Sequence, residues 1–163
     1  MSRDLSVLSG YPQNLISQVE TLIEQNKLEF YLKEGYPERH NVRTDKALFS
    51  YVQEIQKTYL KKAGPIHKVL YDDRIESVHS ALGLHSFVSR QQGNKLKSKN
   101  EIRISSLFKN APAPFLHMIV VHELAHLKEK DHNKDFYRLC HHMEPDYSQL
   151  EFDLRLYMIN AGI

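Results

Sequence analysis

The sequence contains a single cysteine, so no internal disulfide framework can form. This excludes the small disulfide-stabilised secreted scaffolds, and we expect a reducing, cytoplasmic location. No run of about 18 apolar residues is present, and the N-terminus leads into no apolar segment of signal-peptide length, so we expect no membrane span. The chain also has little excess charge. Its 22 basic and 20 acidic residues leave a formal net charge of +2, which gives no reason to expect nucleic acid as a partner.

What the chain does contain suits one globular domain. Hydrophobic residues make up 41% of the 163 residues, which is enough for one core, and we expect residues 1–163 to form a single domain. Apolar residues recur at helical spacing over 12–27 and 45–62, which predicts two amphipathic helices that cover the core. Apolar runs and turn residues predict the following further elements: strands over 66–71, 77–82, 84–90 and 101–105, a turn at 72–73, a polar loop centred on 93–94, and a loop over 34–41. The sequence thus predicts an α+β fold with a small antiparallel or mixed sheet.

The most informative segment is His122-Glu123-Leu124-Ala125-His126, the His-Glu-x-x-His pattern of metal-dependent hydrolases. Residues four apart lie on one helix face, so both histidines can bind a single ion such as Zn²⁺ at about 2.0 to 2.1 Å. Glu123 lies about a quarter turn away, where it can hold a water at the metal and accept its proton. The surrounding residues are apolar nearly all round, which predicts a buried helix. Buried histidines need polar partners, and a metal supplies them.

A third protein ligand is expected, because catalytic zinc usually keeps three protein groups and one open position. His132 is the first candidate, provided that the helix ends between His126 and His132. The residues between them are mostly polar and allow that end, and Asn133 is a suitable N-cap for a new helix. Metzincins share the His-x3-His-x5-His spacing but have glycine at the position of Glu129, so the turn must form here without glycine.

Two glutamates downstream, Glu144 and Glu151, are alternative third ligands of the gluzincin kind, although both are better explained as groups outside the metal shell. Tyr137 and Tyr147 could donate to an oxyanion, but their rings are expected in the core. The other nearby residues are expected to be structural: they are His117, His141, His142, Cys140 and Met143.

Longer stretches around the motif resemble the YgjP-like family of metal-dependent hydrolases. The resemblance rests on residues 120–127, 132–137 and 144–147, and it extends to 10–12, 44–48 and 81–85, so it covers nearly the whole chain. It implies a zincin-like fold, in which a small sheet packs against the motif helix. It also implies a metal held by His122, His126 and His132, with Glu123 as the base. The activities that it implies are peptide hydrolysis and, alternatively, nucleoside triphosphate pyrophosphatase activity with UTP as the nucleotide.

A basic stripe is the one feature that bears on the substrate. Lys95, Lys97, Lys99 and Arg103 would share one face of an extended strand. Beside a metal cleft, such a stripe would suit a polyphosphate or an acidic peptide. The alternative, which we favour, is that these lysines are solvated and protect an edge strand from aggregation.

These observations predict a zinc-dependent hydrolase. We expect one Zn²⁺ per chain, although another divalent transition metal is compatible with the same ligands. Peptide hydrolysis comes first, because it is the best-known chemistry of the motif, and nucleotide pyrophosphate hydrolysis is the alternative. A third hypothesis is a non-catalytic structural metal site, but such sites are usually four-coordinate and rich in cysteine. The expected partner is a small molecule or a peptide.

Overall fold

A computed structural model describes residues 3–75 and 100–163 of the protein. Within these ranges the chain forms six α-helices and two β-strands, together with 3-10 turns at Ser6–Leu8 and Ser106–Lys109. The helices are α1 (Gln13–Glu24), α2 (Leu28–Gly35), α3 (Asp45–Tyr59), α4 (Ala113–Ala125), α5 (Lys134–Met143) and α6 (Tyr147–Ala161). The strands are β1 (Lys68–Asp72) and β2 (Glu101–Ser105). The predicted α+β class is confirmed.

The sheet formed by the described residues is parallel, so the expected antiparallel pairing is wrong. Lys68 pairs with Glu101 at one end and Asp72 pairs with Ser105 at the other. Parallel strands need a connection of about a dozen residues or more, and the chain between β1 and β2 is longer than that. The strands predicted over 77–82 and 84–90, and the polar loop at Gly93 and Asn94, lie outside the described residues.

A buried carboxylate ties the two strands together. Asp72, at the end of β1, is 6% exposed and accepts hydrogen bonds from Arg74 and from Arg103 of β2. The bonds from Arg74 hold the pKa of Asp72 well below its usual range, and the bond from Arg103 acts in the same direction. Arg103 also binds Glu101 on its own strand. The arginine therefore has two carboxylate partners within the sheet.

Helix α4 lies at the centre of the core, in a hydrophobic cluster that extends from Val7 to Ile159. Ten of its 13 residues are buried, and it packs against α3, α5, α6 and β2. This confirms the prediction that the motif helix is buried. No helix in the described part of the chain is long and apolar enough to span a bilayer.

The N-terminal helices agree in part with the sequence analysis. Thr44 caps α3 through its hydroxyl, which accepts from the Ala47 backbone N–H at 3.1 Å, and the helix ends three residues earlier than predicted. Helix α1 fills most of the range predicted over 12–27. Helix α2 was not predicted: it buries only Leu28 and Leu32, and Phe30 between them is 65% exposed. Two buried residues give too little periodicity to indicate a helix.

Candidate metal centre

Three histidine side chains meet at the C-terminal end of α4. The ring nitrogens that His122, His126 and His132 can offer to a metal all lie within 4.8 Å of one another. The Nε2 atoms of His126 and His132 are 3.1 Å apart. Among the described residues, this is the group of histidine, cysteine and carboxylate side chains suited to hold an ion. The structure therefore brings together the three residues that the sequence singled out.

The turn after α4 brings His132 back to the helix without glycine. The helix ends at Ala125, and the backbone N–H of Glu129 donates to the Ala125 carbonyl at 2.9 Å. Asn133 then caps α5, because its side-chain oxygen accepts from the Phe136 backbone N–H at 2.8 Å. No residue between 126 and 133 has a positive φ, so none needs the freedom of glycine. The predicted helix end and the predicted cap are both confirmed.

The hydrogen-bond partner of Nδ1 in a histidine indicates which of its two ring nitrogens is left to face the site. Nδ1 of His126 lies 2.9 Å from the backbone carbonyl of Glu129. A carbonyl only accepts, so this Nδ1 carries the hydrogen and Nε2 of the neutral ring presents its lone pair. Nδ1 of His122 lies 2.7 Å from the hydroxyl of Tyr147. Nε2 of His126 is thus prepared to act as a metal ligand.

One aromatic ring packs against all three histidines. The Phe136 ring is fully buried, and its centroid lies 5.0 Å from His122, 4.5 Å from His126 and 4.9 Å from His132. It closes one side of the site with apolar surface and restricts the orientations of the imidazoles. The sequence alone did not indicate that Phe136 packs against the histidines, although Phe136 follows His132 by one helical turn.

Glu123 lies beside the three rings. Glu123 is 8% exposed, and its Oε2 atom is 3.9 Å from Nε2 of His122. This distance places the carboxylate within reach of a water in the site. A carboxylate in this position is a suitable proton acceptor.

The donor set fits a divalent transition metal. Three imidazole nitrogens are the protein ligands of one well-known class of catalytic zinc site, which leaves a fourth position open. Two nitrogens bound to one tetrahedral ion at about 2.0 to 2.1 Å lie roughly 3.3 Å apart. The 3.1 Å between the Nε2 atoms of His126 and His132 is close to that value.

The alternative ligands lie outside this group. Glu144 accepts from Nδ1 of His117 at 3.0 Å and from the backbone N–H of Asp146 at 2.9 Å. Glu151 binds Arg155 at 3.2 Å and, after burial, helps to raise the pKa of Tyr147. Neither carboxylate belongs to the cluster that could hold an ion.

The other expected structural residues are mostly where the sequence analysis put them. Cys140 and Met143 are buried on α5, and burial raises the pKa of the Cys140 thiol to about 12. His141 contacts Ser148, and His142 packs edge-on against the Tyr59 ring. The two tyrosines differ, because Tyr147 is fully buried and Tyr137 is 36% exposed. The prediction for the Tyr137 ring holds only in part, because this ring packs edge-on against the buried Phe136 ring at 5.1 Å while the residue stays partly exposed.

Comparison with known proteins identifies the family. The model of the YgjP-like family, described as a metallopeptidase domain, matches residues 37–157. The chain belongs to the YgjP-like family. It is also 57% identical over 160 residues to a UTP pyrophosphatase of Escherichia coli (strain K12), which covers 98% of this chain and 96% of that protein. No solved structure gives a significant match. The chain is therefore a hydrolytic enzyme, and its family indicates that it depends on a metal.

The candidate substrate-binding residues of this YgjP-like chain fall into two groups. Lys95, Lys97 and Lys99 lie outside the described residues. Arg103 lies in β2, where its guanidinium binds Asp72 and Glu101 and its side chain is 37% exposed. Its positive charge is thus balanced by two carboxylates, which leaves little of it for an anionic substrate.

A separate cleft of about 360 Å³ lies between α1, α2 and α6. Its walls include Leu15, Tyr31 and Phe152, and they include neither Glu123 nor any of the three clustered histidines. The cleft is therefore distinct from the candidate metal centre.

Proposed function

We propose that this protein is a zinc-dependent nucleoside triphosphate pyrophosphatase that acts on UTP. The observation that carries the proposal is 57% identity, over 98% of the chain, to a protein named UTP pyrophosphatase. Peptide hydrolysis, which the motif alone favoured, becomes the second candidate, and it is supported by the metallopeptidase description of the family. Both are hydrolytic reactions for which the same metal centre is suited.

In the proposed site, His122, His126 and His132 hold the metal and leave one position open for a water and the substrate. A bound Zn²⁺ would lower the pKa of a water that it holds and polarise the phosphoryl oxygen under attack. Support comes from the convergence of the three imidazoles and from the Nδ1–H of His126, which is held by a carbonyl. We further propose a zincin-like arrangement in which residues 1–163 form one domain, consistent with a cluster that joins both ends of the chain.

Glu123 is the proposed general base. The attacking water transfers a proton to its carboxylate while the water oxygen bonds to the α-phosphorus of the nucleotide. The bond from the α-phosphorus to the bridging oxygen breaks, and pyrophosphate leaves with that oxygen. Glu123 can then return the proton to solvent or to the leaving group. Its position beside His122, with Oε2 3.9 Å from Nε2, supports this role.

The negative charge of a triphosphate calls for cationic side chains near the metal. Lys95, Lys97 and Lys99 are the proposed phosphate-binding residues, because their alternate spacing in the sequence would bring them to one face of an extended segment. Arg103 would contribute less, since Asp72 and Glu101 already bind its guanidinium.

A direct comparison of substrates tests the proposed function. We expect the zinc-loaded protein to release pyrophosphate and UMP from UTP, and to leave casein and a mixed peptide library intact. The assay would measure pyrophosphate and peptide ends in parallel, with metal-free protein as the control. Cleavage of peptides without release of pyrophosphate would reverse the order of the two candidates. Activity towards neither substrate would contradict both.

Neutralising the three lysines should affect nucleotides selectively. We expect Lys95→Gln, Lys97→Gln and Lys99→Gln together to raise KM for UTP by roughly tenfold or more, because each lost cation weakens the attraction to phosphate. The salt dependence of kcat/KM should become flatter, and metal content should not change. A matched variant that neutralises three exposed lysines, Lys27, Lys33 and Lys57, should behave like the wild type. Unchanged KM in the first variant would mean that the stripe is a solvated edge.

A further inference from the structure

We propose that Tyr147, Glu151 and Arg155 form a buried relay that fixes the tautomer and orientation of His122 and thereby raises the metal affinity of the site. The three residues are called the α6 relay below. The inference rests on the proposed role of His122 as a metal ligand, and it does not depend on the identity of the substrate.

Helical spacing aligns the α6 relay. Residues 147, 151 and 155 are successive positions four apart on α6, so they lie on one face of the helix. The Tyr147 hydroxyl lies 2.7 Å from Nδ1 of His122, and Glu151 lies one helical turn beyond Tyr147, where it adds to the rise in the pKa of Tyr147 that burial causes. Arg155 donates from one terminal nitrogen to the Glu151 carboxylate at 3.2 Å and to the Glu151 backbone carbonyl at 3.0 Å. Direct contacts thus lie at both ends of the relay, and we infer the link between Tyr147 and Glu151 from their spacing on the helix.

The direction of each hydrogen bond follows from the groups involved. In the proposed relay Tyr147 donates its single hydrogen to the Glu151 carboxylate, because an ionised carboxylate only accepts. The Tyr147 oxygen then accepts from Nδ1 of His122, which must carry a hydrogen. In a neutral imidazole this leaves the lone pair on Nε2, the nitrogen that faces the other two histidines. Arg155 places its positive charge beside that carboxylate, with one terminal nitrogen 3.2 Å from it.

Burial makes these bonds effective. Tyr147 is fully buried, Arg155 is 6% exposed, and the Glu151 side chain is 14% exposed. Burial raises the pKa of Tyr147 well above its ordinary value, and Glu151 acts in the same direction, so the phenol remains a donor. The same terminal nitrogen of Arg155 also donates to the Tyr11 hydroxyl at 3.0 Å, and the guanidinium carbon lies 5.4 Å from the centroid of the Tyr11 ring. Water therefore competes weakly for the members of the relay.

The two histidines at the C-terminal end of α4, His122 and His126, are thus oriented by different means. His126 donates to a backbone carbonyl, whereas His122 donates to a side chain that is itself held by a carboxylate. A carboxylate at the end of such a chain increases the basicity of the imidazole, and partners of this kind typically alter metal affinity about 10- to 100-fold. Removal of the Tyr147 hydroxyl should reveal that effect, because the phenylalanine ring would still fill the space.

The test is Tyr147→Phe, with Tyr36→Phe as the matched control. Tyr36 also donates its hydroxyl to a carboxylate, that of Asp153, but it has no contact with the three histidines among the interactions described. We expect Tyr147→Phe to bind Zn²⁺ about 10- to 100-fold more weakly in competition with a chelator, and to shift the visible absorption bands of the Co²⁺-loaded protein. Tyr36→Phe should lose thermal stability but keep the wild-type affinity and spectrum.

A second variant keeps the test decisive if Tyr147→Phe does not fold. Glu151→Gln preserves the shape of the relay and removes the charge, so it should weaken Zn²⁺ binding in the same direction by a smaller factor. Wild-type affinity and an unchanged Co²⁺ spectrum in the folded variants would overturn the inference. Neither measurement uses a substrate, so the inference survives if UTP is not hydrolysed. A wild-type protein that binds no metal would instead contradict the proposed metal centre.

Discussion

Replacing Glu123 by glutamine is expected to lower the rate of hydrolysis by roughly 10²- to 10⁴-fold, the range by which a positioned general base accelerates a reaction. Glutamine has almost the same shape as glutamate but cannot accept the proton of the attacking water at neutral pH. The carboxylate lies beside His122 without belonging to the cluster of potential ligands. We therefore expect metal content and melting temperature to stay close to those of the wild type, while kcat falls.

The comparison needs a matched change elsewhere. Glu54→Gln alters an exposed glutamate of α3 that pairs only loosely with Lys57, so it should leave activity unchanged. Metal per chain would be measured by mass spectrometry, and kcat for UTP by release of pyrophosphate. If Glu123→Gln lost its metal together with its activity, Glu123 would be a ligand, and its assignment as the base would be wrong.

His122→Ala or His126→Ala should remove the metal altogether. The purified wild type is expected to carry about one transition-metal ion per chain, held by three imidazoles. Loss of either histidine on α4 leaves two ligands, which is too few to retain zinc at micromolar concentrations. His132→Ala should weaken binding strongly, because it removes the ligand that the turn after α4 brings back. Metal content after dialysis, together with activity, would report each change.

The control for these variants is Glu144→Ala, which removes a carboxylate that binds His117 rather than the cluster. Its metal content should equal that of the wild type. A protein that retained metal without His132 but lost it without Glu144 would have the gluzincin arrangement. That result would also require the side chains to rearrange from the positions described.

The parts of the site that depend on local sequence could be predicted from it. Histidine spacing, the apolar environment of α4 and the Asn133 cap are each decided by a few adjacent residues. The parallel pairing of β1 with β2 was not predicted, because it joins segments that are distant in sequence and lack a distinctive pattern. Helix α2 was missed for a different reason: it contributes only two buried side chains.

The α6 relay could be predicted from the sequence only in part. Its members were visible as polar residues four apart in a helix whose other positions are largely buried. Glu151 was considered as a metal ligand and judged more consistent with a place outside the metal shell, but the proposal that it acts through Tyr147 required the positions of both residues on α6. The substrate could not be predicted from the motif, because the same ligands and base serve peptide and phosphoanhydride hydrolysis. Similarity along the whole chain, rather than the metal site, favours the nucleotide.

His122 and His126 have different hydrogen-bond acceptors, and this difference determines which substitutions elsewhere in the chain are compatible with the site. A backbone carbonyl is present in every amino acid, so the acceptor for His126 survives almost any replacement at position 129 that keeps the path of the turn. The acceptor for His122 is one hydroxyl, and it depends in turn on a carboxylate and a guanidinium. Substitutions in α6 must therefore be compatible with one another, whereas those at position 129 are nearly independent. Two ligands on the same helix thus impose unequal constraints on the rest of the chain.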